Sequence, residues 1–367
     1  MPPADPDESL PPLLASRCSA LVSAILQTFD PARVSETLRS IVSHDRWNSF
    51  ERFHDTSREL VAAYQSAGAL AECYTIPTGG PRGDGRWIIP EAEDFSDATL
   101  DLVSPLTRRI ADYKQCPWHV AQWSAATGPA GIVAELTILD SEDELLRMQA
   151  GALACRIVLS RIDPRKYRAA FVAAGAVALI CDAPVPEHPD AVGWMKFGWG
   201  GLDLSACASP LVGLSISATQ GNELRALRLK HKELTLRATV DVRRYAGSHD
   251  VVSGIIPGKQ EPNSEIWAVA HSAEPGALDN ASGVAACVGI AHALETLIHS
   301  GTLPAPRRTI RFLHGYECYG FFHYLEHAPR AQRPMAGVCL DTIGARPDLC
   351  RGEVRWHASA PGSASFV

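Results

Sequence analysis

His271 and Asp279 sit in a stretch, residues 270–283, that reads Ala-His-Ser-Ala-Glu-Pro-Gly-Ala-Leu-Asp-Asn-Ala-Ser-Gly. Imidazole and carboxylate are both metal-ligand types, and together they suit zinc. Two further acids, Glu317 and Asp341, follow apolar runs later in the chain. A zinc site that does chemistry keeps about three protein ligands and leaves a position open for water. A carboxylate that is not a ligand can then take the proton of that water. These four side chains are the candidate chemistry.

Their positions depend on the elements that carry them. Residues 266–270 form an apolar run of buried-strand length, so His271 ends a strand. A Pro-Gly turn follows, and Val284, Cys287, Ala291, Leu294 and Ile298 share the spacing of one helix face, which puts Asp279 just before a helix. Residues 308–314 read as another strand leading to Glu317 and a helix through about 327, and residues 335–340 as a further buried strand with Asp341 at its end. Residues 250–258 make a strand closed by a Pro-Gly turn. Strands alternating with helices predict an α/β fold, a mixed and mostly parallel sheet sandwiched by helices, with the candidate residues along its carboxyl edge.

Upstream, residues 1–12 are acidic and Pro-rich and read as a disordered lead-in. Residues 13–69 are helical in pattern: Leu21, Ala24, Ile25 and Phe29 share one face, Val34, Leu38 and Ile41 another, and Leu60, Val61, Tyr64 and Ala67 a third. Gly68 ends that segment, a strand follows over 70–76, and 78–85 is a loop on its turn chemistry. This gives an N-terminal part of the main domain over 13–129 and a core over 243–367. Between them, 130–242 changes character, with short apolar strands near 131–139, 155–160, 176–181 and 210–217, helices near 167–174 and 220–229, and a period-two strand over 234–242. The aromatic, Gly-rich run 192–201 is a covered loop, or in functional terms a lid or pocket wall.

Composition narrows the function classes. The net charge is −7 with no basic block, which argues against a nucleic-acid partner. No N-terminal signal pattern is present, and no run was found that approaches the roughly 20 apolar residues of a membrane span. The ten cysteines form no CxxC pair, and Cys181 and Cys339 lie in apolar runs expected to be core. A cytoplasmic protein with no membrane partner is the expectation. Nothing in the pattern fixes an oligomeric state.

In order, Asp-Val-Val-Ser-Gly-Ile-Ile-Pro-Gly at 250–258, Ala270-His271, Gly276 to Gly283 with its Asp-Asn-Ala-Ser-Gly string, Tyr316 to Gly320, and Leu340-Asp341 to Gly344 resemble the zinc aminopeptidases of peptidase family twenty-eight. The match is strong over 248–344. It implies a metallopeptidase-like hydrolase acting on a peptide or small amide. Carried over, Asp279 bridges two metals, His271 and Asp341 complete one metal site, and Glu317 is the general base. Asn280 holds its neighbours and binds no metal. The block 130–242 is similar to the protease-associated domain through residues 154–159 and 169–180, which implies a lid or substrate-selecting role.

The departures matter as much. The family's second acid, a ligand of the other metal, falls on Cys318, its aspartate two residues after the histidine falls on Ala273, and its last histidine ligand has no clear place before Val367. A related group carries a single Glu in this motif, and Tyr-Glu-Cys-Tyr-Gly is closer to it. The resemblance therefore implies one or two zinc ions, with one site intact. Each residue also has a plainer reading: Asp279 as a helix N-cap, Glu317 as a solvated loop acid, Asp341 as a cap or ion-pair partner, and His314, His323 and His327 as surface residues. Two alternatives to an active hydrolase stand, an inactive peptidase-fold binding or scaffold protein and a truncated peptidase.

Overall fold

A computed structural model describes residues 12–79, 89, 91–198, 211–327, 334–346, 348, 353, 355 and 357. The lead-in lies outside these residues except for Pro12, as does most of the 78–85 loop. The chain divides into two compact units, one of residues 1–45, 54–75 and 250–367 and one of residues 46–53 and 76–249.

The first unit holds α1 (Pro12–Thr28), α2 (Pro31–Asp45), most of α3 (Phe50–Ser66) and a five-stranded sheet. Its strands are β1 (Leu70–Pro77), β9 (Ser248–Ile256), β10 (Glu261–Val269), β11 (Arg308–His314) and β12 (Ala336–Cys339), in the order β1-β9-β11-β10-β12. β10 runs parallel to both β11 and β12, whereas β9 is antiparallel to β11. The sheet is therefore mixed, and β10, β11 and β12 share one carboxyl edge.

Alternation along these strands sorts the side chains by face. Phe312 and Ala268 pack with Ile41 of α2, Leu60 and Tyr64 of α3, and Val284, Cys287, Val288 and Ala291 of α7 (Ala281–His299). Among the described residues, α7 is the one helix long and apolar enough to cross a membrane by length and composition. That composition is also what a core helix needs, and eleven of its residues are buried. The opposite face carries Trp267, edge-on to Tyr324 of α8 (Tyr319–His327) at 6.2 Å. It also carries a buried pair in which Arg311 grips Glu265 through Nε at 2.8 Å and Nη2 at 2.9 Å.

β12 was expected to be buried but is half exposed, with Cys339 open to solvent, because among the described residues it is bonded on one side only. His314 corrects the expectation in the other direction. It is fully buried, its Nδ1 faces the Ala270 carbonyl at 2.9 Å, and its Nε2 lies 2.6 Å from the Tyr64 hydroxyl. The matching tautomer donates from Nδ1 and accepts at Nε2. Tyr64 can lie there because Gly254 leaves room: a Cβ at 254 would stand 2.2 Å from the Tyr64 ring.

Burial pushes the His314 imidazole down to about 4, with the Ala270 bond opposing the shift. Its ordinary value is 6.5. Below that pH the unfolded chain takes up a proton that the folded chain refuses, so stability is lost as pH falls from 6.5 toward 4. Between pH 7 and 5 the parent should lose about 2 kcal/mol more than His314→Gln in urea titrations. Equal losses in the two proteins would contradict this assignment.

The second unit is wider than the 130–242 block. It holds a seven-stranded sheet of β2 (Ala92–Ser104), β3 (Arg108–Asp112), β4 (Ile132–Ile138), β5 (Arg156–Ser160), β6 (Ala178–Cys181), β7 (Val212–Ser215) and β8 (Thr235–Tyr245), in the order β3-β2-β8-β4-β5-β6-β7. β2 pairs with β8 along its length, which ties residues 92–112 to this unit. α4 (Glu142–Arg147), α5 (Pro164–Ala173) and α6 (Ala218–Lys230) complete it, with Ser217 and Gln220 forming a capping box. The described part of the aromatic run is a covered loop, with Met195 and Phe197 buried and bonded through backbone to Gln122. Eight described cysteines are free.

Candidate metal centre

Parallel pairing delivers the candidate residues to one place. His271 follows β10, Glu317 follows β11 and Asp341 follows β12, at the edge where open α/β sheets carry their sites. The loops after β10 and β11 are joined by a bridge between Ser272 and Tyr316, with Ser272 N–H bonded to the Gly315 carbonyl at 2.9 Å. Two groups of ligand atoms result, each within 4.8 Å of one another: His271, Asp279 and Asp341, and His271, Glu274 and Glu317. His271 belongs to both.

The Asp-Asn-Ala-Ser-Gly string explains how Asp341 is held. Asn280, not Asp279, is the N-cap of α7, and its Oδ1 accepts from Gly283 N–H at 3.2 Å. The same oxygen accepts from Thr342 N–H at 3.2 Å, while Nδ2 donates to the Leu340 carbonyl at 3.0 Å. Ser282 Oγ accepts from Ile343 N–H at 3.2 Å. The start of α7 thus clamps both neighbours of Asp341, and Asp279 is left outside the cap. The bond between Asp279 and Asn280 is cis. Gly283 is required by this clamp, since a Cβ there would meet the Leu340 carbonyl oxygen at 2.1 Å. Gly283→Ala should destabilise the protein by about 1–3 kcal/mol through overpacking. A variant with parental denaturation midpoint would show that the clamp yields freely.

His271 is buried and its Nε2 faces two carboxylates, Glu274 Oε2 at 2.8 Å and Asp279 Oδ1 at 3.1 Å. Burial alone would lower its pKa, but hydrogen bonds that it donates to Asp279 and Glu274 outweigh it and raise it to about 10. Burial also raises Asp341; His271 opposes that shift, while the Asp279 and Glu317 carboxylates add to it. Like charges crowded around one imidazole are the electrostatic condition that a divalent cation relieves. Burial and Glu317 push the Cys318 thiol up, away from the thiolate form.

On the far side of the ring, His271 Nδ1 lies 3.3 Å from Asn280 Nδ2. The three backbone contacts of Asn280 fix its amide so that the nitrogen faces the ring. Ala273, where the resembling family has an aspartate, offers no side-chain acceptor and adopts φ 62°. Its N–H is bonded instead to buried Asp45 at 3.3 Å. Neither Glu274 nor Asp45 was found from sequence. Glu274 was in plain view three residues after His271; Asp45 is remote in the chain and carried no signal.

The described His323 is half-buried and His327 exposed. Their rings lie 4.4 Å apart on α8, and they stand in neither ligand group.

No family model and no curated protein matches the sequence. Solved structures do match. The "Peptidase M28 precursor" from Shewanella amazonensis is 18% identical, with TM-score 0.61 over 84% of this chain and 70% of that one. An aminopeptidase from Aneurinibacillus sp. strain AM-1 is 18% identical, with TM-score 0.52 over 88% and 73%. BSAP, a zinc aminopeptidase from Bacillus subtilis, is 16% identical, with TM-score 0.58 over 86% and 70%. Identities this low speak for the fold, and the fold of this chain is that of these peptidases.

Proposed function

We propose that the protein is a zinc-dependent, aminopeptidase-like hydrolase that cleaves an N-terminal peptide bond or a related small amide. The convergence of His271, Asp279 and Asp341 at one sheet edge, with Glu317 in the adjoining group, carries this reading. The donor set fits the metal: imidazole and carboxylate are both zinc-ligand types, and three such donors leave a position for water. Zinc, when bound, polarises the amide carbonyl and lowers the pKa of a water. The protein's own groups do the rest. His271, Asp279 and Asp341 hold the ion, and the Asn280 and Ser282 clamp keeps Asp341 in place. Glu317 takes the proton of the attacking water and passes it to the leaving amine.

Glu317→Gln tests the assignment. The variant should keep its zinc and lose about 10²–10⁴-fold in hydrolysis of aminoacyl anilides. Full activity in that variant would remove Glu317 from the role, and a parent protein that takes up no zinc would remove the reading. Two observations favour a second reading, an inactive peptide-binding protein on the same fold. Cys318 replaces a metal-binding acid, and the Asn280 amide nitrogen gives the His271 Nδ1 proton no acceptor. Zinc-free protein that binds peptides without cleaving them would decide for it. The likeness of 130–242 to protease-associated modules supports a substrate-selecting role for that unit. The cytoplasmic location remains a proposal resting on the sequence.

A further inference from the structure

The histidines of α8 take no part in the chemistry proposed for the sheet edge, yet they form a pair. His323, Glu326 and His327 stand at helical positions i, i+3 and i+4, so their side chains share one face. The two imidazole rings lie 4.4 Å apart, centre to centre, with an interplanar angle of 50°. Glu326 Oε2 lies 3.7 Å from His327 Nε2. We propose that His323 and His327, with Glu326 beside them, form a second metal site that takes a divalent transition-metal ion of the zinc and copper class. Neither histidine belongs to the ligand groups of the sheet edge, so this site is separate from that centre and does not rest on its reading.

Two histidines four residues apart on one helix face are spaced to share an ion. Nitrogens on one ion, with bonds of about 2.0–2.1 Å, stand roughly 3–3.4 Å apart. Rings with centres at 4.4 Å reach that separation by side-chain rotation alone. The backbone need not move, because the other face of α8 is anchored. Tyr324 is buried there, with its ring edge-on to Trp267 at 6.2 Å and to Tyr74 at 5.7 Å. Among the described residues no other group bonds the buried Nδ1 of His323, so no competing partner fixes that ring. Ligation needs unprotonated imidazole, and burial, helped by His327, holds His323 below its ordinary range. Two imidazoles with one carboxylate suit zinc, nickel and copper(II) better than magnesium or calcium, and copper(II) best of all. The donors are open to water, with His327 49% and Glu326 54% exposed. The two imidazoles therefore carry the ion, and they hold it less tightly than the three ligands of the sheet edge. Dialysis empties this site and added metal fills it.

The test is a titration of the dialysed full chain with zinc and with copper(II), in competition with a chromophoric chelator. It compares the parent, His271→Ala, and His271→Ala combined with His327→Ala. His327 is exposed at the end of α8, so its replacement leaves the fold intact, which circular dichroism verifies. His271→Ala, with its sheet-edge centre dismantled, should still bind one added ion, copper(II) more tightly than zinc. The double variant should bind that ion at least about 10-fold more weakly. Its copper(II) electron paramagnetic resonance spectrum should also show less imidazole-nitrogen splitting. Unchanged affinity and spectrum in the double variant would overturn the site. A single ion in the parent that His271→Ala abolishes, with no further ion taken up, would overturn it as well and leave the sheet-edge centre standing. An ion that depends on His327 alone, with none lost in His271→Ala, would uphold this site and remove the zinc reading of the sheet edge.

Discussion

His271→Ala is expected to strip the protein of zinc. Both groups of candidate ligands contain this residue, and its Nε2 is the atom that Glu274 and Asp279 approach. Losing an outer-shell partner of a metal site costs about 10–100-fold in affinity, and losing the imidazole itself should cost more. Dialysed His271→Ala should therefore carry no stoichiometric zinc at concentrations that saturate the parent, and hydrolysis should fall with occupancy. Parental zinc content in this variant would move the centre away from the β10 edge.

The second large effect concerns the frame beneath the site. Arg311 on β11 and Glu265 on β10 form a bidentate pair with both side chains buried, and Trp267 Nε1 donates to Glu265 at 2.6 Å. The two strands run parallel with Trp267 beside Arg311, so this pair bolts the register in which β10 presents His271 and β11 leads to Glu317. Arg311→Ala leaves the Glu265 carboxylate buried without its counter-charge, and about 3–5 kcal/mol of stability should go with it. Replacing both partners, as Arg311→Met with Glu265→Leu, removes the uncompensated charge and should recover most of that loss. If the single and double variants unfold at the same urea concentration, the pair is not the source of the penalty. Its charge contributes little to activity directly; its loss acts by loosening the strands that carry the site.

Much of this was legible in the residues. The apolar runs ending at Ala270, His314 and Leu340 marked three strands, and parallel pairing brought their ends together because sheets of this class align carboxyl edges. What escaped notice has physical reasons. β2 alternates apolar and acidic residues, but bulges between Phe95 and Asp97 and between Leu102 and Ser104 break the period that would have announced it. The compact unit that contains β2 spans 46–53 and 76–249, wider than the 130–242 block that the apolar pattern marks. His314 looked like a surface residue because the partner of its Nε2, Tyr64, lies 250 positions earlier. The helix cap was assigned to Asp279 or left open, whereas Asn280 takes it, and only the three-dimensional clamp on Leu340 and Thr342 shows why. Glu274 carries no periodic signal at all, since loop residues reveal themselves by what they face.

On the proposed reading, His271, Asp279 and Asp341 hold one catalytic zinc ion. Metal analysis of the purified parent, paired with a panel of aminoacyl anilides, tests it most directly. The account predicts about one zinc per chain and metal-dependent cleavage that a chelator removes and zinc restores. Protein that takes up no zinc and cleaves nothing on the panel would contradict it.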